Sequence, residues 1–269
     1  MTQSHTFCFS MDVELGIGAE HSVVKRCSDP KHARRVMVDV LSGLRKTGIR
    51  ATFALIGHLM LPGCQGHDPR RSPSIDWWKM DPCSSYPSED SWYAPDIVRM
   101  IDSEGHEIAC HTFSHVDFAS PACTPNVARF EIEEWLKASG NMGISSRSFV
   151  FPRNNTGYLE LLPEYGFDRY AVDGGSQDFF NPSLPSPYPS EVGGMLVIPR
   201  TFMISEFRLS NPQKAGKLSR LLMHWKKRGG FFHLWTHEWS LASRRDLMIL
   251  GNALKFAGRH GEGIGFSDL

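Results

Sequence analysis

The segment GHEIACHTFSH, residues 105–115, holds a short apolar run that leads directly into two histidines four residues apart. The run His106–Cys110 has the length and composition of a buried β-strand. Side chains at positions i and i+4 of a helical turn face the same way, so His111 and His115 can converge on one cation. The segment therefore predicts a strand whose carboxyl end carries a pair of metal-type histidines.

Strand-like and helix-like patterns alternate along the whole chain. Seven short apolar runs are predicted to be strands: Thr6–Met11, Ala51–Gly57, His106–Cys110, Ser148–Phe151, Arg169–Val172, Met195–Pro199 and Gly230–Trp235. Between them, apolar residues at helical spacing predict helices around residues 33–44, 97–101, 127–136, 218–225 and 247–256. Such alternation predicts parallel strands joined by right-handed crossovers.

Residues with reactive side chains follow most of the predicted strands and are not confined to the end of a single strand. They are Asp12, Glu14, His111, His115, Arg153, Asp173, Arg200 and His237. A barrel gathers functional groups at the carboxyl ends of many strands, whereas a doubly wound sheet concentrates them at one switch point. We therefore expect an α/β fold in which about seven parallel strands form a distorted, incomplete (β/α) barrel.

The composition is that of one folded domain with balanced charge. A chain of 269 residues that is 41% hydrophobic can bury one sizeable core, and no linker divides it, so a single domain over residues 1–269 is expected. Lys plus Arg and Asp plus Glu both number 29, which gives no polycationic surface. We therefore expect no nucleic-acid partner.

The cysteines and the amino terminus favour a reducing compartment. The six cysteines form no C-x-x-C pair, and Cys8 and Cys110 lie in apolar runs, so reduced thiols are expected. The first residues show no basic region followed by an apolar core, and no run of apolar residues is long enough to span a membrane. These features predict a cytoplasmic location without a transmembrane segment. They say nothing about the oligomeric state.

Two carboxylates occur together in the segment Met11-Asp12-Val13-Glu14 at the end of the first predicted strand. Residues i and i+2 of an extended segment point to the same side, so Asp12 and Glu14 can share one pocket. One of them can bind a metal while the other acts as general base toward water activated by that metal. The alternative is that Glu14 is a solvated loop residue and Asp12 caps a turn.

An arginine and a late histidine complete this set of reactive groups. Arg153 follows the strand that ends at Pro152, and its guanidinium could hold the free carboxylate through a two-point contact, although a surface position is the alternative. His237 ends the alternating run of residues 231–239 and could protonate a leaving amine. His233, inside that run, is expected to be either a buried structural residue or a residue that orients a site residue from behind.

Two long irregular stretches, residues 58–93 and 176–194, interrupt the alternation. Stretches of this length in a compact domain are usually functional or mobile. The first carries five aromatic residues: Trp77, Trp78, Tyr86, Trp92 and Tyr93. They either form a wall on which sugar rings stack or pack the loop onto the barrel.

The order of these motifs is similar to that of a known family. An acidic strand end, an Ala51-Thr52-Phe53 strand, the segment 105–115, a strand end with Pro and Arg, and a late histidine follow one another from Thr6 to about Trp239. In this order the chain resembles the polysaccharide deacetylases, the carbohydrate esterase family related to chitooligosaccharide deacetylase. The segment 105–115 is the most specific part, because the family has a metal-binding His-Ser/Thr-x-x-His turn there.

The resemblance implies a catalytic domain that binds one divalent metal, with zinc as the expected ion. It also implies that this domain removes an N-acetyl group from an amino-sugar-containing glycan or glycoconjugate. It assigns metal binding to Glu14, His111 and His115. It assigns catalysis to Asp12 as base, His237 as acid and Arg153 as the tether of Asp12. The candidates for substrate contacts are Trp78, Tyr158, Arg200 and Trp235.

The chain departs from the family pattern at two places. The usual adjacent Asp-Asp pair reads Asp12-Val13-Glu14, so either Asp12 or Glu14 could be the acidic ligand. The usual Arg-x-Pro-Tyr/Phe-Gly motif reads Phe-Pro-Arg-Asn-Asn-Thr-Gly-Tyr over residues 151–158. Two other functions stay open: hydrolysis of another small linear or cyclic amide on the same barrel, and carbohydrate binding without catalysis.

Overall fold

The computed structural model of the protein describes residues 5–17, 30–64, 66–67, 81, 83, 92–173, 188–204, 210–241 and 243–269. The strands are β1 His5–Val13, β2 Thr52–Leu55, β3 Glu107–Cys110, β4 Ser148–Val150, β5 Arg169–Asp173, β6 Ser190–Val192, β7 Met195–Arg200, β8 Phe202–Met203, β9 Gly230–His237 and β10 Glu262–Ile264. The helices are α1 Pro30–Thr47, α2 Pro95–Ser103, α3 Pro125–Asn141, α4 Leu161–Glu164, α5 Asn211–Arg228 and α6 Arg244–His260.

The helices begin where the sequence supplies starting signals. Proline stands in the first turn of α2, α3 and α5, where its fixed φ suits a helix and its missing N–H costs nothing. Thr124 caps α3 by accepting a hydrogen bond from the amide of Val127, and Ser243 caps α6 in the same way through Asp246. None of the described helices is long and apolar enough to cross a membrane.

The strands form one mostly parallel sheet that curls into an incomplete barrel. Hydrogen-bonded neighbours follow the order β6-β7-β5-β4-β3-β2-β1-β9-β8, and β10 pairs with β1. Only β6 with β7 is antiparallel among these pairs. β7 and β8 are separated by Thr201, whose amide donates to the carbonyl of His233. This bent segment therefore pairs with β5 on one side and with β9 on the other, which confirms the predicted distorted (β/α) barrel.

The period of two along β1 separates the two faces of the barrel wall. Phe7, Phe9, Met11 and Val13 belong to the large core between the sheet and the helices. The alternate residue Cys8 belongs to a smaller cluster inside the barrel, which contains Ala54, Ala109, Val150, Ala171, Ile198, Phe231 and Phe266. Small side chains dominate there because inward-facing residues from many strands share a narrow interior. The same alternation turns Asp12 inward at the carboxyl end of β1.

The carboxy-terminal segment closes the opposite end of the barrel. Glu107, the first residue of β3, accepts hydrogen bonds from the Thr52 hydroxyl at 2.8 Å and from the Ser267 amide at 2.9 Å. Arg169, the first residue of β5, donates to the carbonyl of Phe266 at 2.7 Å. These hydrogen bonds hold the carboxy-terminal segment against the first residues of β3 and β5.

All seven predicted strands and all five predicted helices are present, with ends shifted by a few residues. The sequence prediction omitted β6, β8, β10 and α4. Each is only two to four residues long, and β6 is fully exposed, so none carries an apolar run from which an element could be recognised.

His233 is buried in the barrel wall, as its position inside a strand predicted. It lies 2.8 Å from the Ser10 hydroxyl, and its Nδ1 donates to the carbonyl of Pro199 at 3.1 Å. Burial, together with the charge of Arg200, lowers the pKa of His233 from 6.5 to about 3. The folded protein therefore holds this imidazole neutral at pH values where the unfolded chain takes up a proton.

We expect this difference to make the fold acid-sensitive. The stabilising contribution is full above pH 6.5 and is lost as pH falls toward about 3, by up to about 1.4 kcal/mol per pH unit. Denaturant unfolding at several pH values should therefore give a steeper loss of stability on acidification for the native protein than for His233→Asn. His224→Asn on α5 is the matched control and should keep the native slope. Equal slopes in all three proteins would contradict the prediction.

Candidate active site

Six polar side chains meet at the carboxyl ends of four strands. They come from β1 and the residue after it, from the turn after β3, from the end of β7 and from the end of β9: Asp12, Glu14, His111, His115, Arg200 and His237. Five are buried and His237 is nearly so. Because parallel strands end at the same rim, residues distant in sequence lie here within a few ångströms of one another.

The two histidines lie on an irregular turn and not on the helical turn that their spacing suggested. Thr112 and His115 have φ angles of 58° and 66°, in the left-handed region that non-glycine residues rarely adopt. The buried carboxylate of Glu131 on α3 holds this turn by accepting a hydrogen bond from the Ser114 amide at 2.7 Å. The strained turn brings the rings of His111 and His115 to a centroid distance of 5.1 Å.

Glu14 joins the two histidines in a group with metal-binding geometry. Its Oε1 lies 3.4 Å from the Nε2 of His111 and 3.2 Å from the Nε2 of His115. The three ligand atoms lie within 4.8 Å of one another. Neither Nε2 atom, though buried, has a hydrogen-bond partner among the described residues. Two imidazole nitrogens and one carboxylate oxygen that face one point fit a divalent cation of the zinc type.

Outer contacts orient these groups. The Nδ1 of His111 lies 2.8 Å from the carbonyl of Val150, which can only accept, so Nδ1 carries the proton and Nε2 presents its lone pair. The indole of Trp239 donates to Oε2 of Glu14 at 2.9 Å, which leaves Oε1 directed at the histidines. The ligand atoms of His111 and Glu14 are thus each selected by a hydrogen bond on the far side of the group.

Burial and charge oppose each other at this group. Burial raises the pKa of Glu14, but His115, His237 and His111 outweigh it and hold the pKa well below its usual range. Burial lowers the pKa of His111, but Glu14 and Asp12 overcome this effect and the pKa is raised above 6.5. The pocket therefore strongly favours a negative carboxylate next to positive charge, whether a proton or a metal supplies that charge.

Asp12 is held by Arg200, which corrects the prediction that Arg153 is its tether. The Nη2 of Arg200 donates to both carboxylate oxygens of Asp12, at 2.9 and 3.0 Å. Arg153 is exposed and lies in a short turn with a φ of 58°, and no contact joins it to Asp12. The arginine at the end of β7 points into the barrel, whereas the turn after Pro152 directs Arg153 to solvent.

Arg200, which pairs with Asp12, also stacks on Trp235, and both Arg200 and Trp235 were predicted to contact substrate. The guanidinium carbon of Arg200 lies 3.8 Å from the centre of the Trp235 ring, and its Nη1 also donates to Asn154. Only 2% of Arg200 and 4% of Trp235 are exposed. A stacked and paired guanidinium is a fixed positioning group, so neither side chain forms an open surface for a ligand.

His237 lies beside both carboxylates. Its Nε2 is 3.7 Å from Oδ2 of Asp12 and 3.6 Å from Oε1 of Glu14, and its ring stacks on Trp239 at 4.4 Å. Burial lowers the pKa of His237, and the charges of Glu14 and Asp12 oppose this only in part. Asp12, Glu14 and His237 also form a metal-type triad within 4.8 Å, so Glu14 is common to both possible ligand sets.

Trp78 and Tyr158 are the remaining predicted substrate contacts, and both stay predictions. Trp78 lies outside the described residues, as do Trp77 and Tyr86 of the same loop. Trp92 and Tyr93 are buried, so these two aromatics pack the loop onto the barrel. The hydroxyl of Tyr158 donates to the carbonyl of Cys123, and its ring lies edge-on to Phe118.

Two site residues were missed in the sequence, Glu238 and Trp239. Glu238 is fully buried and accepts a hydrogen bond from the amide of Leu15 at 2.7 Å. Burial, followed by the charge of Glu14, raises the pKa of Glu238 to about 8. The tripeptide His-Glu-Trp at residues 237–239, at the end of an apolar strand, is the sequence signal that points to these two residues.

Protons should compete with a cation at this site. At pH values below the raised pKa of His111, a zinc ion would have to displace a proton from the Nε2 of this ring, so the affinity for zinc should fall by up to about tenfold per pH unit there. Calorimetric titration with zinc between about pH 8 and about pH 6 measures this. Zinc bound at this site is identified as the equivalent that the native protein binds and that the Glu14→Gln variant does not bind. A pH-independent affinity for that equivalent would contradict the assignment.

Comparison with known proteins supports the resemblance seen in the sequence. Residues 28–158 match the family model of polysaccharide deacetylase. No protein of curated function matches the chain. The family predicted from the motifs is thus the one whose model matches the chain.

Solved structures share the fold at low sequence identity. A Mycobacterium smegmatis protein with a provisional polysaccharide deacetylase assignment superposes with a TM-score of 0.66 at 15% identity, over 100% of this chain and 89% of that one. A family 4 carbohydrate esterase from Streptomyces lividans, solved with acetate, gives 0.54 at 13%, over 98% and 94%. A family 4 pseudoenzyme from Bacillus anthracis gives 0.56 at 11%, over 99% and 65%. These likenesses establish the barrel-like fold.

Proposed function

We propose that this chain, which matches the polysaccharide deacetylases over residues 28–158, is a metal-dependent hydrolase that removes an N-acetyl group from an amino-sugar-containing glycan or glycoconjugate. One observation carries the proposal. Glu14 lies 3.4 and 3.2 Å from two histidine nitrogens, while the neighbouring carboxylate of Asp12 is held apart by Arg200. A ligand set and a separate base are thus placed side by side, as hydrolysis requires.

The comparisons support a hydrolase of C–N amide bonds that acts on a carbohydrate. The Streptomyces lividans esterase was solved with acetate, which is the acid released when an acetyl group is hydrolysed. The cytoplasmic location and the absence of a nucleic-acid partner remain predictions from the sequence.

Glu14, His111 and His115 would hold the cation. Three protein ligands leave a coordination position open, which is the arrangement of catalytic zinc sites. A divalent cation bound there would polarise the acetyl carbonyl and lower the pKa of water toward about 7. Asp12 is the less suitable ligand, because the buried positive charge of Arg200 already pairs with its carboxylate and would repel a cation there.

Asp12 acts as the general base. Its carboxylate takes a proton from water as the water oxygen attacks the acetyl carbon. Arg200 fixes the orientation of this carboxylate by the two-point contact and is itself kept in place by Trp235. A preoriented base needs no rearrangement during proton transfer.

His237 returns the proton to the leaving amine. Its Nε2 lies 3.7 Å from Asp12, so the proton taken from water can pass on to the imidazole. Burial lowers the pKa of His237, so the imidazolium gives up its proton readily. The C–N bond breaks as the nitrogen accepts that proton, and the products are acetate and a free amine.

Carbohydrate binding without catalysis is the alternative from another class, and a family 4 pseudoenzyme with this fold keeps it relevant. Against it, the described site holds a base, its arginine, a proton donor and a set of metal ligands within contact of one another. Hydrolysis of a small linear or cyclic amide would use the same groups and differs only in the substrate.

The activity test is acetate release from N-acetylglucosamine oligomers and small N-acetylated sugars, compared with other small amides. Asp12→Asn and His111→Ala should each lower kcat by about 100-fold or more, since they remove the base and a metal ligand. Asp12→Asn should still bind the oligomer. If the native protein binds glycan without turnover, the binding alternative is favoured. If the native protein carries no metal, and added zinc, cobalt or nickel restores no activity, the mechanism is wrong.

The two arginines offer a matched pair of variants. Arg200→Lys removes the guanidinium that stacks on Trp235 and donates to both oxygens of Asp12, and it should lower kcat by roughly 10- to 100-fold, about 1.4–2.7 kcal/mol, with a smaller effect on KM. Arg153→Lys should change kcat by less than about twofold, because its side chain is exposed and apart from Asp12. The reverse ranking in steady-state kinetics would restore Arg153 as the tether.

A further inference from the structure

A second group of metal-type side chains lies outside the active site, in the stretch that follows β2. It comprises His58, Cys64, His67 and Asp81. His58 lies on the short 3-10 helix Gly57–Met60, and the other three follow in the long segment that the alternating pattern left unassigned. All four ligand atoms lie within 4.8 Å of one another. We name this group the loop cluster.

The distances in the loop cluster are those of a nearly formed tetrahedral site. The Asp81 Oδ2 lies 3.4 Å from the Nε2 of His58 and 2.8 Å from the Nε2 of His67. The Cys64 Sγ lies 3.4 Å from the Nε2 of His67 and 3.6 Å from that same oxygen. Tetrahedral zinc with its usual bond lengths separates its ligand atoms by about 3.3–3.8 Å. Among these four contacts, only the one between His67 and Asp81 must widen.

Neighbouring groups orient the loop cluster as outer contacts orient a metal site. The Nδ1 of His58 lies 3.0 Å from the carbonyl of Trp92, so Nδ1 carries the proton and Nε2 faces the cluster. The hydroxyl of Tyr93 contacts both oxygens of Asp81, at 2.9 and 2.8 Å. The Cys83 amide also donates to Asp81, at 3.0 Å. These contacts hold the imidazole of His58 and the carboxylate of Asp81 in place beside Cys64 and His67.

We propose that His58, Cys64, His67 and Asp81 bind a second divalent cation, of the zinc class, in a closed structural site distinct from the active centre. Two imidazoles and a thiolate favour zinc over the oxygen-preferring magnesium or calcium. Four protein ligands leave no open position, which characterises structural and not catalytic zinc. His67 is 15% exposed at its side chain, so the cation can enter from solvent.

The loop cluster is connected by hydrogen bonds to the turn that carries His111 and His115. The amide of Gly57 donates to the carbonyl of Thr112, and the amide of His58 donates to the carbonyl of Phe113, each at 2.9 Å. The ring of His58 also lies edge-on to Phe113, at 5.8 Å. Thr112 and Phe113 stand between His111 and His115, in the turn with left-handed backbone. A cation at the loop cluster would therefore tie residues of the long segment to the turn that presents His111 and His115.

Cobalt substitution separates this site from the active centre. The active-centre ligands are nitrogen and oxygen only, so thiolate-to-cobalt charge-transfer absorption in the near ultraviolet can come only from a site that contains cysteine. In His111→Ala/His115→Ala protein freed of metal, cobalt should still produce this absorption and saturate at one equivalent. Zinc should displace the cobalt and raise the Tm of the same protein.

The cysteine variants identify the ligand. Cys64→Ser in the same background should abolish the absorption and the zinc-dependent rise in Tm. Cys123→Ser, a buried thiol outside the cluster, is the matched control, and Cys83→Ser tests the neighbouring thiol; both should keep the signal. If Cys64→Ser does not fold, Cys64→His keeps a metal ligand there and should bind one equivalent of cobalt without the thiolate absorption.

Two outcomes overturn the proposal. They are no thiolate absorption in the folded double variant, and absorption that survives Cys64→Ser, in which case its loss in Cys83→Ser would identify Cys83 as the thiolate. The first would make the loop cluster a hydrogen-bond network around Asp81. None of these results bears on acetate release by the native protein, which tests the active centre separately.

Discussion

The burial of Glu14 at the rim of the barrel is the constraint on which the active site depends. A carboxylate removed from water is costly unless charge and hydrogen bonds compensate it. Trp239 compensates one of its oxygens, and His111 and His115 surround the other. Because the imidazoles are neutral when they ligate metal, a divalent cation would supply the positive charge that protons supply without it. The pocket is therefore arranged around this carboxylate.

The buried charge of Asp12 is compensated in a different way, and this difference gives the two acids different roles. Arg200 neutralises Asp12 by a buried two-point contact and is stacked on Trp235. A carboxylate that is paired with a guanidinium is held in one orientation, whereas Glu14, whose Oε1 faces imidazoles, can offer that oxygen to a cation. Two acids separated by a single residue thus meet different partners. Strand periodicity brings them to one side, and the neighbouring strands then determine their roles.

Backbone strain and distant support act together at the histidine turn. The spacing of His111 and His115 suggested a helical turn, but the rings converge because the turn contains left-handed residues that few sequences tolerate. Such a conformation persists only where its surroundings hold it in place. Glu131 holds it from α3, and the residues at 57 and 58 hold it from the end of β2. The order of the long segment after β2 therefore matters for chemistry at the end of β3.

The sequence by itself determined the alternation of strands and helices, the barrel, and most members of the site, because periodicity and the ends of apolar runs are local properties of the chain. It could not determine which arginine meets Asp12: Arg153 and Arg200 both follow strands, and only the direction of the turn and the stacking on Trp235 distinguish them. It also gave no sign that the loop cluster assembles, since its members are spread over more than twenty residues. Partner choice between distant side chains depends on strand order and turn geometry, and only the tertiary structure decides these.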